Sequence, residues 1–155
     1  MQTLSQIFAH NRWATEVLIE SCRGLTDEQL ATAVEGTYGG LGETLAHLVS
    51  GDRFYVELLT GSAPEWTWRR GRAYPGVDTL LSVARATGDA LIKAVETIPA
   101  DRLVERDPGE MIPAWVILVQ AINHANDHRS HASTILTQLG ITPPAIDGWA
   151  FAGFE

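Results

Sequence analysis

The chain has 155 residues and a formal net charge of −8, with 45% apolar and 19% charged residues. This is the composition of a globular protein long enough to bury a core without disulfides, and we predict one domain over residues 1–155. The acidic balance argues against nucleic acid as a partner, because phosphate binding needs a basic surface. The run 69-RRGR-72 is basic. We interpret it as a solvated loop, with the edge of an anion-binding pocket as the alternative.

Three features predict a cytoplasmic protein without a membrane partner. Cys22 is the single cysteine of the chain, so no intrachain disulfide can form, as is usual in a reducing compartment. The first residues lack the basic-then-apolar order of a secretory signal. The longest apolar run, Met111 to Ile122, is interrupted by Pro113 and Gln120 and is too short to span a bilayer.

Apolar residues recur every three or four positions in four segments, which is the spacing of an amphipathic helix. These segments are Leu4–Cys22, Glu43–Leu59, Asp78–Thr97 with Asp78 as N-cap, and Pro113–Leu139. A short helix is predicted at 26-TDEQL-30, where Thr26 and Gln29 stand at the two positions of a capping box. Residues 101–113 have a weak pattern that fits a loop or a small hairpin. Four long amphipathic helices with little strand signal predict an all-α fold, a four-helix bundle.

Several aromatic residues lie in the loop segments or at helix ends. The loop of residues 62–76 contains Trp66 and Trp68, which we interpret either as the wall of a binding site or as rings that cover the core. Trp115 falls in the apolar row of the last long helix and is predicted to be in the bundle core. The aromatic residues of the tail are expected to pack back on the bundle; they are Trp149, Phe151 and Phe154.

The most informative segment is 124-HANDHRSH-131. Its histidines, His124, His128 and His131, fall within roughly 60° of one another around the axis of the predicted helix. They interrupt a row that is otherwise apolar, with Ile117 before them and Ile135 after them. Burying three imidazoles in such a row is costly unless each ring finds a partner, and a metal ion supplies one. The pattern therefore predicts a metal site, with a partly exposed polar stripe as the alternative.

Helix geometry selects two of these three histidines as ligands of one ion. His124 and His128 lie about 6 Å apart along the axis, whereas His124 and His131 lie about 10 Å apart. His47, on the second long helix, continues into apolar residues and is the candidate for a third ligand. The predicted ligands are thus His47, His124 and His128. His131 is placed near the open side of the site as a fourth ligand, a proton shuttle or a pocket-lining residue.

Five other polar residues need an interpretation. Glu43, four residues before His47, is a candidate catalytic base, with a surface acid at a helix start as the alternative. Asp127 either orients an imidazole or is solvated. Arg129 interrupts an apolar row, which predicts a buried charge with a carboxylate partner. Asp52 and His10 are expected to be ordinary exposed residues.

Three ordered motifs together resemble the DinB/YfiT-like metalloenzyme superfamily over nearly the whole chain. They are 11-NRWATEVLIESCRGLTDEQL-30, 42-GETLAHLVSGDRFYVELLTG-61 and 122-INHANDHRSHASTILTQLGITPP-144. The resemblance implies a four-helix bundle, often a homodimer, with a divalent-metal site whose ligands correspond to His47, His124 and His128. A Gly-Gln pair that follows the His-Arg of the family is replaced here by Ser130 and His131, which leaves the substrate open.

Two functions of different class follow from these expectations. The first is a metal-dependent enzyme acting on a small molecule, with Zn or Ni as the cofactor. It would be either a hydrolase or, as the resemblance implies, a transferase that uses a low-molecular-weight thiol such as mycothiol or bacillithiol. The zincin mechanism is excluded, because Ala125 stands where HExxH has its glutamate. The second function is a non-catalytic, stress-associated dimer with a structural metal site.

Overall fold

Residues 2–154 are described by the computed structural model. The helices are α1 (Gln2–Ser21), α2 (Asp27–Ala31), α3 (Leu41–Thr60), α4 (Val77–Thr97), α5 (Ala114–Gln138) and α6 (Gly148–Ala152), with strands β1 (Leu103–Asp107) and β2 (Glu110–Pro113) between α4 and α5. Helix α1 packs on α4 and α5, and α3 packs on α4 and α5. The predicted all-α four-helix bundle is therefore confirmed. In the described residues, no helix has the length and apolarity needed to cross a membrane.

Local signals set most of the element boundaries. Thr26 and Gln29 form the predicted capping box of α2, and Gly61 ends α3 with a φ of 77°, a conformation that glycine adopts without strain. The prediction of Asp78 as the N-cap of α4 is wrong, because Gly76 occupies that position. The Asp78 carboxylate instead accepts a hydrogen bond of 2.9 Å from Arg23.

The segment between α4 and α5 is the small hairpin that the sequence left as one of two alternatives. Its strands pair antiparallel, with Val104 opposite Ile112, and the register shifts between Glu105 and Asp107. Val104 is buried and joins the core of the bundle. The hairpin thus packs against α3 and α5 and contributes one apolar side chain to the core.

Buried apolar residues of the described chain form two clusters, separated by a polar layer. One cluster includes Leu18, Leu45 and Leu136, and the other includes Tyr55 and Leu118. On every long helix a buried polar residue stands between the two clusters; these residues are Asn11, Thr15, Asp52, Thr87, His128 and Arg129. The candidate site described below lies at the edge of this layer, between α3 and α5.

Two predictions about aromatic packing are wrong, in whole or in part. Trp115 is 52% exposed rather than in the core, because the three-four spacing defines a helix face but not how far other elements cover it. In the tail, the ring of Phe151 packs on Trp13, at 5.3 Å between centroids. Trp149 and Phe154 do not pack on the bundle in this way, since they are 73% and 64% exposed.

Candidate metal centre

Helices α3 and α5 bring together the three histidines that the sequence selected. One nitrogen from each of His47, His124 and His128 lies within 4.8 Å of the other two. The Nε2 atoms of His47 and His124 are 3.2 Å apart. The ring of His128 lies 4.6 Å from that of His47 and 4.4 Å from that of His124. The three imidazoles therefore converge on one point between the two helices.

This arrangement fits the requirements of a divalent metal ion. Two nitrogen ligands at about 2.1 Å from a tetrahedral ion lie roughly 3.4 Å apart, close to the separation found between His47 and His124. The donor set is three imidazoles, which suits zinc, nickel or iron(II) and leaves coordination positions for water or substrate. The three residues could hold a metal ion, and the identity of that ion does not follow from the geometry.

Burial keeps these rings in the neutral form that binds metals. Desolvation is the main cause that lowers the pKa of His124 to about 3 and that of His128 to about 4, and each is lowered further by neighbouring histidines. The pKa of His47 is also lowered, first by burial and then by Arg70. All three rings are therefore neutral at pH 7, so a metal ion does not have to displace protons from them.

A close approach of the two helices depends on Gly51, which the sequence analysis did not single out. The ring of His124 lies directly over Gly51 of α3, where an added Cβ would be 2.1 Å from Cε1 of the imidazole. Any larger residue would push the ring away. The signal was present in the sequence as a glycine one helical turn after His47, but a glycine alone does not say what approaches it.

Aromatic packing orients the rings, in addition to the contact between Nε2 of His47 and Nε2 of His124. Tyr38 stacks on His47, with centroids 4.0 Å apart and planes inclined by 9°, and it meets His128 edge-on. Tyr55 meets His124 edge-on at 5.6 Å. Among residues 2–154, Nδ1 of His124 and Nδ1 of His128 have no hydrogen-bond partner. The role of Asp127 in orienting an imidazole is thus not supported, since this residue is exposed.

The two candidate catalytic residues lie outside the group of three. The ring of His131 is 5.5 Å from that of His128, and His131 does not belong to the set of converging nitrogens. Glu43 accepts a hydrogen bond of 3.2 Å from Arg70 in an ion pair, with 29% of its side chain exposed. Of these two residues, only His131 contacts the histidine cluster, through the ring of His128.

Arg129 is buried as predicted, but its partners differ from the expected carboxylate. Its Nη1 donates to the carbonyl oxygen and Oδ1 of Asn11 and to Oγ1 of Thr15, all on α1. Burial lowers the pKa of Arg129, and the nearby charge of Asp52 partly offsets this effect. The arginine next to His128 therefore ties α5 to α1 at the level of the site.

The predictions of exposure for Asp52 and His10 are both wrong. Asp52 is 4% exposed, and burial raises the pKa of its carboxyl to about 7. Its Oδ1 has no hydrogen-bond partner within the described part of the chain. His10 is half-buried, with Nε2 2.9 Å from the carbonyl oxygen of Ile146 and its ring against Phe151. The sequence around each residue looks like a helix surface, and only the packing of other elements buries them.

The loop of residues 62–76 forms a pocket beside His47. This pocket has a volume of about 250 Å³, and His47, Trp66 and Trp68 are among the residues that line it. Trp68 is 8% exposed and belongs to the core, in agreement with the interpretation of these rings as core-covering, and both tryptophans line this pocket. A larger pocket of about 660 Å³ under the same loop shares both tryptophans but contains no histidine. His131 does not line the smaller pocket.

A model of the DinB family matches residues 1–154 of the chain. The chain belongs to the DinB family. The resemblance of the three sequence motifs is thereby confirmed. Among relatives of this DinB chain is the uncharacterized protein YrdA of Bacillus subtilis, which is 26% identical over an alignment that covers 92% of this chain and 87% of YrdA.

Solved structures of other DinB-like proteins have the same fold. A DinB-like protein of Bacillus cereus ATCC 10987 superposes with a TM-score of 0.74 at 19% identity, over 94% of this chain and 96% of the other. The DinB-like protein YjoA of Bacillus subtilis gives a TM-score of 0.66 at 13% identity, over 94% and 98% of the two chains. These similarities establish the fold of the DinB chain, and they assign no activity to it.

Proposed function

We propose that this DinB protein is a metal-dependent enzyme that holds one divalent ion, zinc or nickel, on His47, His124 and His128. The observation that carries the proposal is the convergence of three neutral imidazole nitrogens within 4.8 Å, next to a pocket that His47 also lines. A structural site would need no such pocket. The reaction we propose is S-transfer from a low-molecular-weight thiol to a small electrophile, with hydrolysis of a small molecule as the second candidate.

The chemistry of the bound ion would be that of a Lewis acid that lowers the pKa of a bound water or thiol. The residues of the chain would orient the ligand rings and form the pocket for the substrate. Tyr38 covers one face of His47 and holds the ring in place. Trp66 and Trp68 wall the adjacent pocket.

The first experiment is an elemental analysis of untagged protein and of four alanine variants. We expect about one zinc or nickel per chain in the wild type and a loss of metal in H47A, H124A and H128A. His10→Ala is the matched control, because His10 is half-buried on α1 and bonds to the backbone of Ile146 instead of the cluster. No metal in the wild type, even after incubation with zinc and nickel salts, would refute the proposal.

The second experiment separates an enzyme from a structural metal protein. The metal-loaded protein is assayed with cysteine and 1-chloro-2,4-dinitrobenzene for S-transfer and with p-nitrophenyl acetate for hydrolysis. We expect turnover that chelation abolishes and that H124A lacks. If chelation lowers thermal stability but every assay equals the buffer blank, the structural alternative is the better description.

We also propose that the protein is a cytoplasmic homodimer. Trp115 and Val119 stand one turn apart on α5 and are 52% and 51% exposed, an apolar surface that a second copy would cover. Cys22 is free and buried, which fits a reducing compartment. The mass in solution by light scattering tests the dimer, and a monomer at micromolar concentration would contradict it.

A further inference from the structure

The pocket beside His47 has a basic rim that the proposed metal chemistry does not use. Arg53, Arg69 and Arg70 line it together with His47, Ser50 and the two tryptophans. The chain has a net charge of −8, so three guanidinium groups around one pocket of about 250 Å³ make a locally positive region on an acidic protein. Guanidinium groups present paired N–H donors that match the oxygens of a carboxylate or phosphate.

The three arginines differ in how far their charge is already balanced. Arg53 is 2.5 Å from a carboxylate oxygen of Glu57 and also donates to the carbonyl oxygen of Pro64. Arg70 is 3.2 Å from Glu43. Arg69 donates to the carbonyl oxygen of Trp68, and no carboxylate in the described ranges lies within ion-pair distance of it. The positive charge of Arg69 is thus available to a ligand.

Two aromatic rings, those of Trp66 and Trp68, also line the pocket. Trp66 is fixed in place because its indole Nε1 donates to Oγ of Ser50 at 2.7 Å. Trp68 is 8% exposed, and its Nε1 has no hydrogen-bond partner within residues 2–154. Flat rings provide the apolar contact that a ligand body needs.

We propose that this pocket binds a small carboxylate-bearing molecule, with the carboxylate at Arg69 and Arg70 and the apolar body against Trp66 and Trp68. The proposal rests on the proposed function in one respect, since it makes this molecule the substrate whose reacting end lies near His47. Binding itself requires only the arginines and the tryptophans. A phosphate-bearing molecule shares the oxyanion chemistry and is compared with the carboxylate in the test.

The experiment measures binding of benzoate, with benzamide as a probe of the same shape but no charge, by isothermal titration calorimetry. Phenyl phosphate is titrated as the alternative oxyanion. Each titration uses chelator-treated protein and, separately, zinc-loaded protein. We expect benzoate to bind at least tenfold more tightly than benzamide in both forms, and more weakly as salt concentration rises. Tighter binding of phenyl phosphate than of benzoate would overturn the choice of a carboxylate.

Two variants and one control locate the bound anion. Arg69→Gln and Arg70→Gln should each weaken benzoate binding at least fivefold while leaving benzamide binding within twofold. Arg72→Gln is the control, because Arg72 belongs to the same basic run and lines the larger pocket, which shares Trp66, Trp68 and Arg69 with this one but lacks His47 and Arg70. We expect it to change benzoate binding less than twofold. An equal loss in R72Q, or no loss in R69Q, would overturn the proposal, because the effect would then be one of net charge or of another site.

The metal content of each variant separates this proposal from the proposed function. If the wild type binds no metal but R69Q still loses benzoate, the pocket is correct and the metal enzyme is not. If benzoate binds only to zinc-loaded protein and R69Q binds it normally, the carboxylate sits on the metal and the pocket proposal fails. Equal affinities of benzoate and benzamide, or no binding of benzoate at millimolar concentration, would also refute it.

Discussion

At the scale of single residues, the site depends on neighbours that carry no metal-binding chemistry themselves. Tyr38 stacks on His47, and Gly51 lets the ring of His124 approach α3. Asp52 lies in the polar layer, buried beside Arg129. None of these three roles follows from the residue type, and each comes from what packs against the residue. Their substitution therefore tests the structure more sharply than another change to a histidine.

Gly51→Ala should reduce metal affinity at least tenfold. The new Cβ would stand 2.1 Å from His124 Cε1, so the ring or the helix must move away from the position shared with His47. Metal titration with a competing chelator measures the change. Gly88→Ala is the control for crowding between helices away from the site, since its Cβ would stand 2.5 Å from Cγ and 2.8 Å from Cβ of Arg12. Unchanged affinity in G51A would show that His124 does not bind the ion from this position.

Asp52→Asn should change how stability depends on pH. Burial raises the pKa of Asp52 in the folded state from 3.8 to about 7, so between these values the unfolded chain has lost a proton that the folded chain keeps. The wild type therefore loses stability as pH rises through this window, by up to about 1.4 kcal/mol per pH unit. Asparagine resembles the neutral acid and removes this loss.

The measurement for Asp52 is the free energy of unfolding by urea, at several pH values from 4 to 8, on chelator-treated protein. The stability of D52N relative to the wild type should increase with pH. Thr87→Ser, at a buried polar residue of the same layer that carries no titratable group, should give a flat difference. A flat difference for D52N as well would mean that Asp52 ionises normally in the folded protein, against its burial beside Arg129.

At the scale of elements, two helices and one loop build the site. Helix α3 supplies His47 and Gly51, and α5 supplies His124 and His128 one turn apart. The loop of residues 62–76 forms the adjoining pocket and anchors it through Trp68, a member of the core. The loop is thus part of the folded body, although its sequence is rich in residues typical of a mobile connection.

Trp68→Ala should destabilise the protein by about 3–5 kcal/mol, because a nearly buried indole leaves a large cavity. Trp66→Ala, in the same loop, should cost roughly half as much or less, because Trp66 is only partly buried and makes one hydrogen bond to Ser50. Urea denaturation of both variants measures the difference. Equal costs would show that the loop is not anchored through Trp68.

At the scale of the whole molecule, the polar layer is a weak point that a metal ion would reinforce. The buried polar residues separate two apolar clusters, so the core is not continuous along the bundle. The imidazoles join α3 to α5 through Nε2 of His47 and Nε2 of His124, 3.2 Å apart, and through edge-on contacts of His47 with His124 and His128. A metal ion bound by residues of both helices would link the two clusters. Because it would bind only the folded state, it would stabilise the fold.

Removal of zinc should therefore lower the melting temperature. An ion present at 100 times its dissociation constant stabilises the fold by about 2.7 kcal/mol. For a chain of this length that corresponds to roughly 5–10 °C. Differential scanning calorimetry with and without a chelator measures the shift, and H124A should show none. A shift of the same size in H124A would place the stabilising ion at another site.

The amino-acid sequence by itself determined the four long helices, the short helix α2 with its capping box at Thr26, and the pairing of His124 with His128 on one helix face, but it did not indicate α6. These are properties of residues close together in the chain, and helix geometry relates their positions directly. The sequence also indicated His47, although only as a third histidine in an apolar row and through the resemblance to the family. The family itself was readable because its three motifs occur in order.

Only the tertiary structure decided what surrounds those histidines. His47 and His124 are 77 positions apart, and their Nε2 atoms meet because α3 and α5 pack closely at Gly51. The same packing buried Asp52 and left Trp115 exposed, against expectation in both cases. Helical periodicity gives the direction of a side chain, but burial depends on which other element covers it. That covering is a property of the whole bundle, and no local pattern contains it.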